Sequence, residues 1–263
     1  MNVKNSQLTF NFHIHTVYSN DGYNSFSRLY LSAVKNKLDV LAITDHDTIE
    51  GAIKFGEWLL INKKTDLQII IGEEVTCSDG THIIGLFLKD EIKSKIPTEV
   101  VAEIKNQGAF VYFPHPARHD GILKSEYRDQ VLLLGDFYEY FNAKFTDEYN
   151  DKAFNELNHL LSPLGGSDAH YNSDVGKCIC SLERSSTLFE TLSDYRLNRK
   201  IIIKGHRKSP NSGYNYFPLY YRYKEKLNLP MFIRNLAKII FPFFKNFSER
   251  NFRPTLSTIY ENI

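Results

Sequence analysis

Apolar residues along the chain come in short runs separated by stretches with helical spacing. Leu8–His15 alternates and predicts a first strand. Asn24–Lys37 has apolar positions at helical spacing, and Val40–Thr44 is a continuous apolar run of the kind buried on both faces. Thr48–Ile61 predicts a helix with Thr48 as its N-cap. Gln68–Thr76 and His82–Leu88 then read as strands joined at a Ser78-Asp79-Gly80 turn, and Thr98–Asn106 as a helix stopping near Gly108. Further strands are expected at Ala109–His115, Asp136–Asn142 and Leu164–Asp168, a helix at Asp147–Leu161, and strand-like runs at Cys178–Leu182 and Ile201–Lys204. Strands alternating with helices predict parallel βα units, and about seven of them with polar strand ends predict an α/β barrel.

The polar residues at those strand ends carry the chemistry. His13 and His15 lie one residue apart on one strand face, so both imidazoles can reach a single cation; equally, one can be a buried, satisfied side chain and the other exposed. The second strand ends in Thr44-Asp45-His46-Asp47-Thr48. Glu73 and Glu74 interrupt an apolar strand, and since neighbours face opposite ways, only one can point into a barrel. A carboxylate buried there is costly unless it meets cations; the other glutamate is expected in a surface ion pair. His82 opens the fourth strand, and His115 closes the fifth with Pro116 stiffening the exit. Gly165-Gly166-Ser167-Asp168-Ala169-His170 puts Asp168 and His170 at another strand end, with glycines that allow close backbone approach. In parallel α/β folds such ends converge on one mouth.

Taken in order, His13-Ile14-His15, Asn20-Asp21-Gly22, Thr44-Asp45-His46-Asp47, Gly72-Glu73-Glu74-Val75-Thr76, the segment opened by His82, Phe113-Pro114-His115-Pro116 and Gly165–His170 resemble the motifs of the PHP (polymerase and histidinol phosphatase) family. The resemblance implies a distorted (β/α)7 TIM-like barrel holding two or three divalent metal ions. It selects Glu74 as a bridging ligand: His13, His15, Glu74 and Asp168 for a first ion, Glu74, His82 and His115 for a second, and Asp21, His46 and His170 for a third. Histidine and carboxylate donors without thiolate favour Mn, Fe or Zn. Many members read Ser-Asp-Gly where this chain has Ser19-Asn20-Asp21-Gly22, so the third site depends on whether Asp21 or Asn20 turns inward.

The activity implied is metal-dependent hydrolysis of a phosphate ester, in a small phosphorylated metabolite or a nucleotide, by a metal-bridging hydroxide in a di- or trinuclear centre. Asp45 is a candidate for orienting a ligand or shuttling a proton, or else caps the following helix. Arg118 is a candidate for docking a substrate phosphate, or else is a surface residue. With 263 residues the chain is too short for a replicative polymerase. Two other readings stand beside the phosphatase: a nuclease acting on oligonucleotides, and a non-catalytic, metal-stabilised module that recruits a partner.

A formal net charge of +1 hides an uneven distribution: residues 204–263 hold 11 Lys or Arg against 3 Asp or Glu. We therefore expect a barrel over 1–204 and a basic, aromatic-rich, helical extension over 205–263. There, Pro230–Phe241 predicts a helix whose Phe232, Leu236, Ile239 and Ile240 form an apolar stripe beside Arg234 and Lys238. Such a segment can pack on the barrel, pair with a second copy in a homo-oligomer, lie on a membrane surface through 214–253, or bind nucleic acid. Cys77, Cys178 and Cys180 fit buried free thiols better than a zinc clamp or a disulfide framework. No apolar run of signal-peptide length or of about 20 residues occurs, which makes the cytoplasm the expected location.

Overall fold

In the computed structural model, which describes residues 6–206 and the backbone of 256–261, seven strands close into a barrel. They are β1 (Gln7–Ile14), β2 (Val40–His46), β3 (Gln68–Thr76), β4 (His82–Leu86), β5 (Phe110–Phe113), β6 (Phe137–Asn142) and β7 (Ser162–Ala169), hydrogen-bonded in that order, with β7 returning to β1. Helices α1 (Phe26–Lys35) and α2 (Glu50–Ile61) cover one side, packing Leu29, Ala33, Phe55 and Leu59 on Leu41 and Ile43. α3 (Pro97–Asn106), α4 (Arg128–Leu132) and α5 (Asp147–Leu157) cover another, where Val100, Val131 and Leu157 share a core with Val111 and Phe113. Inside the barrel, Phe10, Phe12, Ala42, Ile70, Tyr112 and Phe137 pack together, with the Phe10 and Phe12 rings stacked at 5.3 Å.

The barrel is mixed rather than all-parallel. β4 runs antiparallel to both β3 and β5. Only five residues separate β3 from β4, too few for a crossover, which takes a dozen or more; Gly80, at φ +83°, closes a hairpin instead. Reversal of this one strand puts its first residue, His82, at the same mouth as the last residues of its neighbours.

β1 has three partners. Its first half, Gln7–Phe10, pairs antiparallel with β8 (Cys178–Glu183), and its second half pairs parallel with β7. After α6 (Leu188–Asn198), β9 (Ile201–His206) and β10 (Leu256–Glu261) extend this sheet. β9 continues past residue 204 and its His206 pairs with Leu256, so a domain boundary at 204/205 falls inside a strand. The helix expected at Pro230–Phe241 and the rest of 214–253 lie outside the described residues. All three cysteines are buried and free, and among the described residues no helix is long and apolar enough to cross a membrane.

Two local expectations change. Thr48 is not the N-cap of α2: that position is Ile49, while the Thr48 hydroxyl accepts the Glu50 N–H at 3.1 Å and donates to Glu91 Oε1 at 2.6 Å. Glu73 makes no surface pair. It is buried behind β3, with Oε2 accepting the Ile92 N–H at 2.9 Å, and burial pushes its carboxyl up to about 7. An acid whose folded value lies above its ordinary one contributes stability at low pH that is lost as pH rises from about 4.5 through 7. Glu73→Gln should therefore gain on the parent across that window, by at most about 3 kcal/mol, in urea denaturation followed from pH 4 to 8.

Candidate metal centre

A change of phase in β1 builds the site. Phe10 and Phe12 point into the barrel, so strict alternation would send His13 and His15 outward. Instead the register of β1 against both neighbours slips between Asn11 and Ile14, and His13 has φ +61°. This bulge turns both histidines inward and sends Ile14 to the helical layer, beside Leu29 and Ala33. His115 (φ +30°) and Asp168 (φ +47°) share the left-handed region. For residues other than glycine such backbone costs about 1–3 kcal/mol each and tends to mark functional sites.

Glu74 lies at the centre, and its two oxygens divide the histidines. Oε2 is 3.0 Å from His13 Nε2, 3.1 Å from His15 Nε2 and 3.7 Å from His46 Nε2. Oε1 is 2.9 Å from His82 Nδ1 and 3.1 Å from His115 Nε2. Asp168 Oδ1 completes the first group at 3.8 and 3.7 Å from the same nitrogens of His13 and His15. Asp21 Oδ2, 2.8 Å from His170 Nε2 and 3.7 Å from His46 Nε2, forms a third group. Asp21 is the residue turned inward here, while Asn20 is exposed. All nine residues proposed from sequence thus gather at one mouth.

Charge and burial reinforce the grouping. Burial opposes the charge of Glu74, yet His13, His46 and His82 hold its carboxyl well below the usual range. Asp168 is likewise held low against burial by Lys144 and His13, and Asp21 by His170 and His46. Burial works against an imidazolium at His13, but Glu74, Asp168 and Glu139 raise it well above its ordinary value. Burial and His170 push His15 down to about 3, which leaves a neutral ring with a bare lone pair.

These residues fit metal ions. An ion bonded at about 2.1 Å holds its donors roughly 3.0–3.4 Å apart, close to the spacing of the His and carboxylate atoms here. The buried Nε2 of His15 has no hydrogen-bond partner among the described residues, although a carboxylate oxygen lies 3.1 Å away. Five imidazoles aimed at one carboxylate offer more lone pairs than protons can satisfy, and cations would use the surplus.

Residues 11–190 match the family model of the PHP domain. The chain belongs to the PHP family. An uncharacterised protein of Methanocaldococcus jannaschii is 36% identical over 160 residues, which cover 55% of this chain and 88% of that protein. A solved structure from Bifidobacterium adolescentis, described as a metal-dependent phosphoesterase, superimposes with a TM-score of 0.50 at 19% identity, covering 64% of this chain and 88% of that one. Endonuclease Q, solved with a 27-mer duplex carrying an abasic lesion at its active site, gives 0.54 at 14% identity over 73% of this chain and 56% of its own. At these identities the two likenesses are of fold, and both agree with the closed mixed barrel of this PHP domain.

Around the nine residues lies a layer that sequence reasoning missed. Glu139, fully buried on β6, meets His13 Nδ1 at 3.0 Å through Oε1, which also accepts from the Tyr112 hydroxyl at 3.0 Å. Its Oε2 accepts from the His115 N–H at 2.6 Å and Asn142 Nδ2 at 2.8 Å. The signal was the one that drew attention to Glu73 and Glu74: a carboxylate within an apolar strand, here between Phe137 and Phe141. Asp120 faces His115 Nδ1 at 3.4 Å, and Lys144 reaches Asp168 and His170. A lysine in a loop carries no pattern that points inward.

The two residues proposed for catalysis sit apart from the PHP cluster. Asp45 faces away from the barrel interior, since β2 sends Thr44 and His46 inward. It caps no helix; its oxygens accept from the Thr16 N–H at 2.5 Å and hydroxyl at 2.7 Å, and burial pushes its carboxyl up to about 7. Arg118 lies at the rim, with Nε 3.2 Å from Asp120 Oδ1 and its guanidinium over the Phe145 ring.

Orienting a ligand imidazole is typically worth 10–100-fold in metal affinity. Glu139→Gln should weaken the tightest Mn2+ binding step by about that factor, as read by calorimetric titration. A Cβ on Gly166 would lie 1.7 Å from Glu139 Oε1 and 3.1 Å from His13 Cβ. Gly166→Ala should therefore lower the unfolding free energy, measured by urea denaturation, by about 1–3 kcal/mol and reduce bound metal.

Proposed function

We propose that this chain hydrolyses phosphate esters, with two or three divalent cations of the Mn, Fe or Zn type held by His13, His15, Asp21, His46, Glu74, His82, His115, Asp168 and His170. The observation that carries the proposal is Glu74, one oxygen of which faces His13 and His15 while the other faces His82 and His115. Cations bound on both sides of that carboxylate supply the charge that acidifies a water and neutralises phosphoryl oxygens. The protein's own part is positional. Glu139 holds the far nitrogen of His13 at 3.0 Å, so the near one faces Glu74, and Asp120 lies 3.4 Å from the far nitrogen of His115.

Access is from the side of Asp21, His46, His82 and His170, which are each 12–17% exposed, whereas His13, His15 and Glu74 are closed off. Arg118, braced by Asp120 and Phe145 beside His115, suits docking of a phosphate. Asp45 acts through Thr16 by fixing the loop that follows His15. The substrate class we favour is a small phosphorylated metabolite or a nucleotide. The fold shared with Endonuclease Q, together with the basic 204–263 segment, favours a second reading, cleavage of a phosphodiester in an oligonucleotide.

Elemental analysis should find two or three equivalents of metal, and phosphate should be released from members of a panel of phosphomonoesters, cyclic phosphates and short oligonucleotides. His13→Ala and Asp168→Ala should each lower turnover by about a thousandfold or more, the several kcal/mol expected of lost metal. Turnover confined to oligonucleotides would favour the second reading. Absence of metal after reconstitution would overturn both.

A further inference from the structure

A guanidinium and two aromatic rings meet at the rim beside the second donor group. Arg118 follows His115 in the turn after β5, with Nε 3.2 Å from Asp120 Oδ1 and its guanidinium 5.1 Å from the centre of the Phe145 ring. It is thus held at one edge and on one face, while its two terminal amino groups make no hydrogen bond or ion pair among the described residues. Phe145 also meets the His115 ring nearly at right angles at 5.9 Å, and the Tyr149 ring at 6.1 Å. Tyr149 stands in the first turn of α5, whose Asn150, Ala153 and Leu157 form the buried face, and is itself 44% exposed. An exposed tyrosine is unremarkable by itself. This one is joined through a single ring to a ligand of the second group and to a cation with donors to spare. The depression beneath, lined in part by His115, Arg118, Phe145 and Tyr149, has a volume of about 10 Å³, room for one water, so a planar group can only lie on the outer face of Tyr149.

We propose that Tyr149 is the base platform of a nucleotide subsite, in which Arg118 takes the phosphate of a free nucleotide and the base stacks on the Tyr149 ring. The inference rests on the phosphoesterase reading above and names which of its substrates the rim selects. The planar fork of Arg118 suits two phosphoryl oxygens at once. Phe145 separates it from Tyr149 by the width of one ring, a gap that a ribose bridges. Stacking asks only for a flat face, and on an aromatic side chain it is worth about five- to a hundredfold in affinity. Asp147 and Glu148 are exposed in the same turn of α5, so the surface next to Tyr149 is acidic and disfavours the further phosphates of an oligonucleotide.

The test compares AMP, glycerol phosphate and a short oligoadenylate on the full-length parent, Tyr149→Ala and Tyr149→Phe. Binding is read by calorimetric titration of the metal-free chain, and turnover by phosphate release from the Mn2+-loaded one. We expect the parent to prefer AMP over glycerol phosphate by about tenfold in Kd and in KM, and Tyr149→Ala to remove most of that preference. Tyr149→Phe, which keeps the ring, should retain it. A purely structural role for Tyr149 would weaken both ligands alike and leave their ratio unchanged; that result, or a parent without preference for AMP, would overturn the proposal. Tighter binding of the oligoadenylate than of AMP, lost in Tyr149→Ala, would overturn the free nucleotide as the ligand. Binding of AMP that depends on the Tyr149 ring, with no phosphate released from any ester, would uphold the platform and overturn the hydrolytic reading instead.

Discussion

A carboxylate with almost no exposure, shared by five imidazoles, is the constraint around which this molecule is arranged. Burying an ionised Glu74 in an apolar barrel is prohibitive unless its charge is met on both oxygens. The donors that meet it come from four strand ends or their loops: β1, β2, β4 and the turn after β5. None of these can shift alone without leaving a charge uncompensated. The unusual backbone at His13 and His115 is tolerated for that reason, since the surrounding charges fix the position of each ring. Below this layer the barrel is filled by Phe10, Phe12, Tyr112 and Phe137. The lower half therefore supplies stability through apolar packing, while the upper half stores electrostatic demand.

That demand is settled in layers. Glu139 touches His13 on one side and, through its second oxygen, the backbone at His115 on the other. It links the first and second donor groups behind Glu74 as Glu74 links them in front. Each of its oxygens accepts two hydrogen bonds, so the buried charge is fully used. Gly166 leaves the room for this carboxylate, which explains in steric terms why β7 carries glycine directly opposite β1.

Much of this was legible in the chain, for definite reasons. Strand periodicity located all seven barrel strands, and the motifs that resemble the PHP family named the nine donors. Alternation within β2 also implied that Asp45 and His46 face opposite ways, a consequence that a motif reading passes over. The direction of β4 was equally implied by the short Cys77–Thr81 connection, whereas a run of βα units suggested parallel order. The bulge at His13 was not legible, because nothing in Phe12-His13-Ile14 signals a left-handed residue; it becomes necessary only once Phe12 is inside and Glu74 is opposite. Glu139 was legible and overlooked. Lys144 was not, since its inward turn depends on the Asn142 side chain holding its backbone.

The three donor groups differ in exposure, and the difference carries a mechanistic consequence. The first group is sealed: His13 and His15 have no exposed side-chain surface and Asp168 has 4%. The third is open, at 12–17% for Asp21, His46 and His170. The stretch Ser19-Asn20-Asp21-Gly22, which differs from the Ser-Asp-Gly of the family resemblance, lies at this open side. A sealed group keeps its donors desolvated and pre-arranged, so little is lost in ordering them around an ion. An open group has solvated donors and lies nearest the mouth. The gradient from sealed to open therefore runs through one cluster, from inner donors fixed by burial and by one another's charge to outer donors that share their surroundings with water.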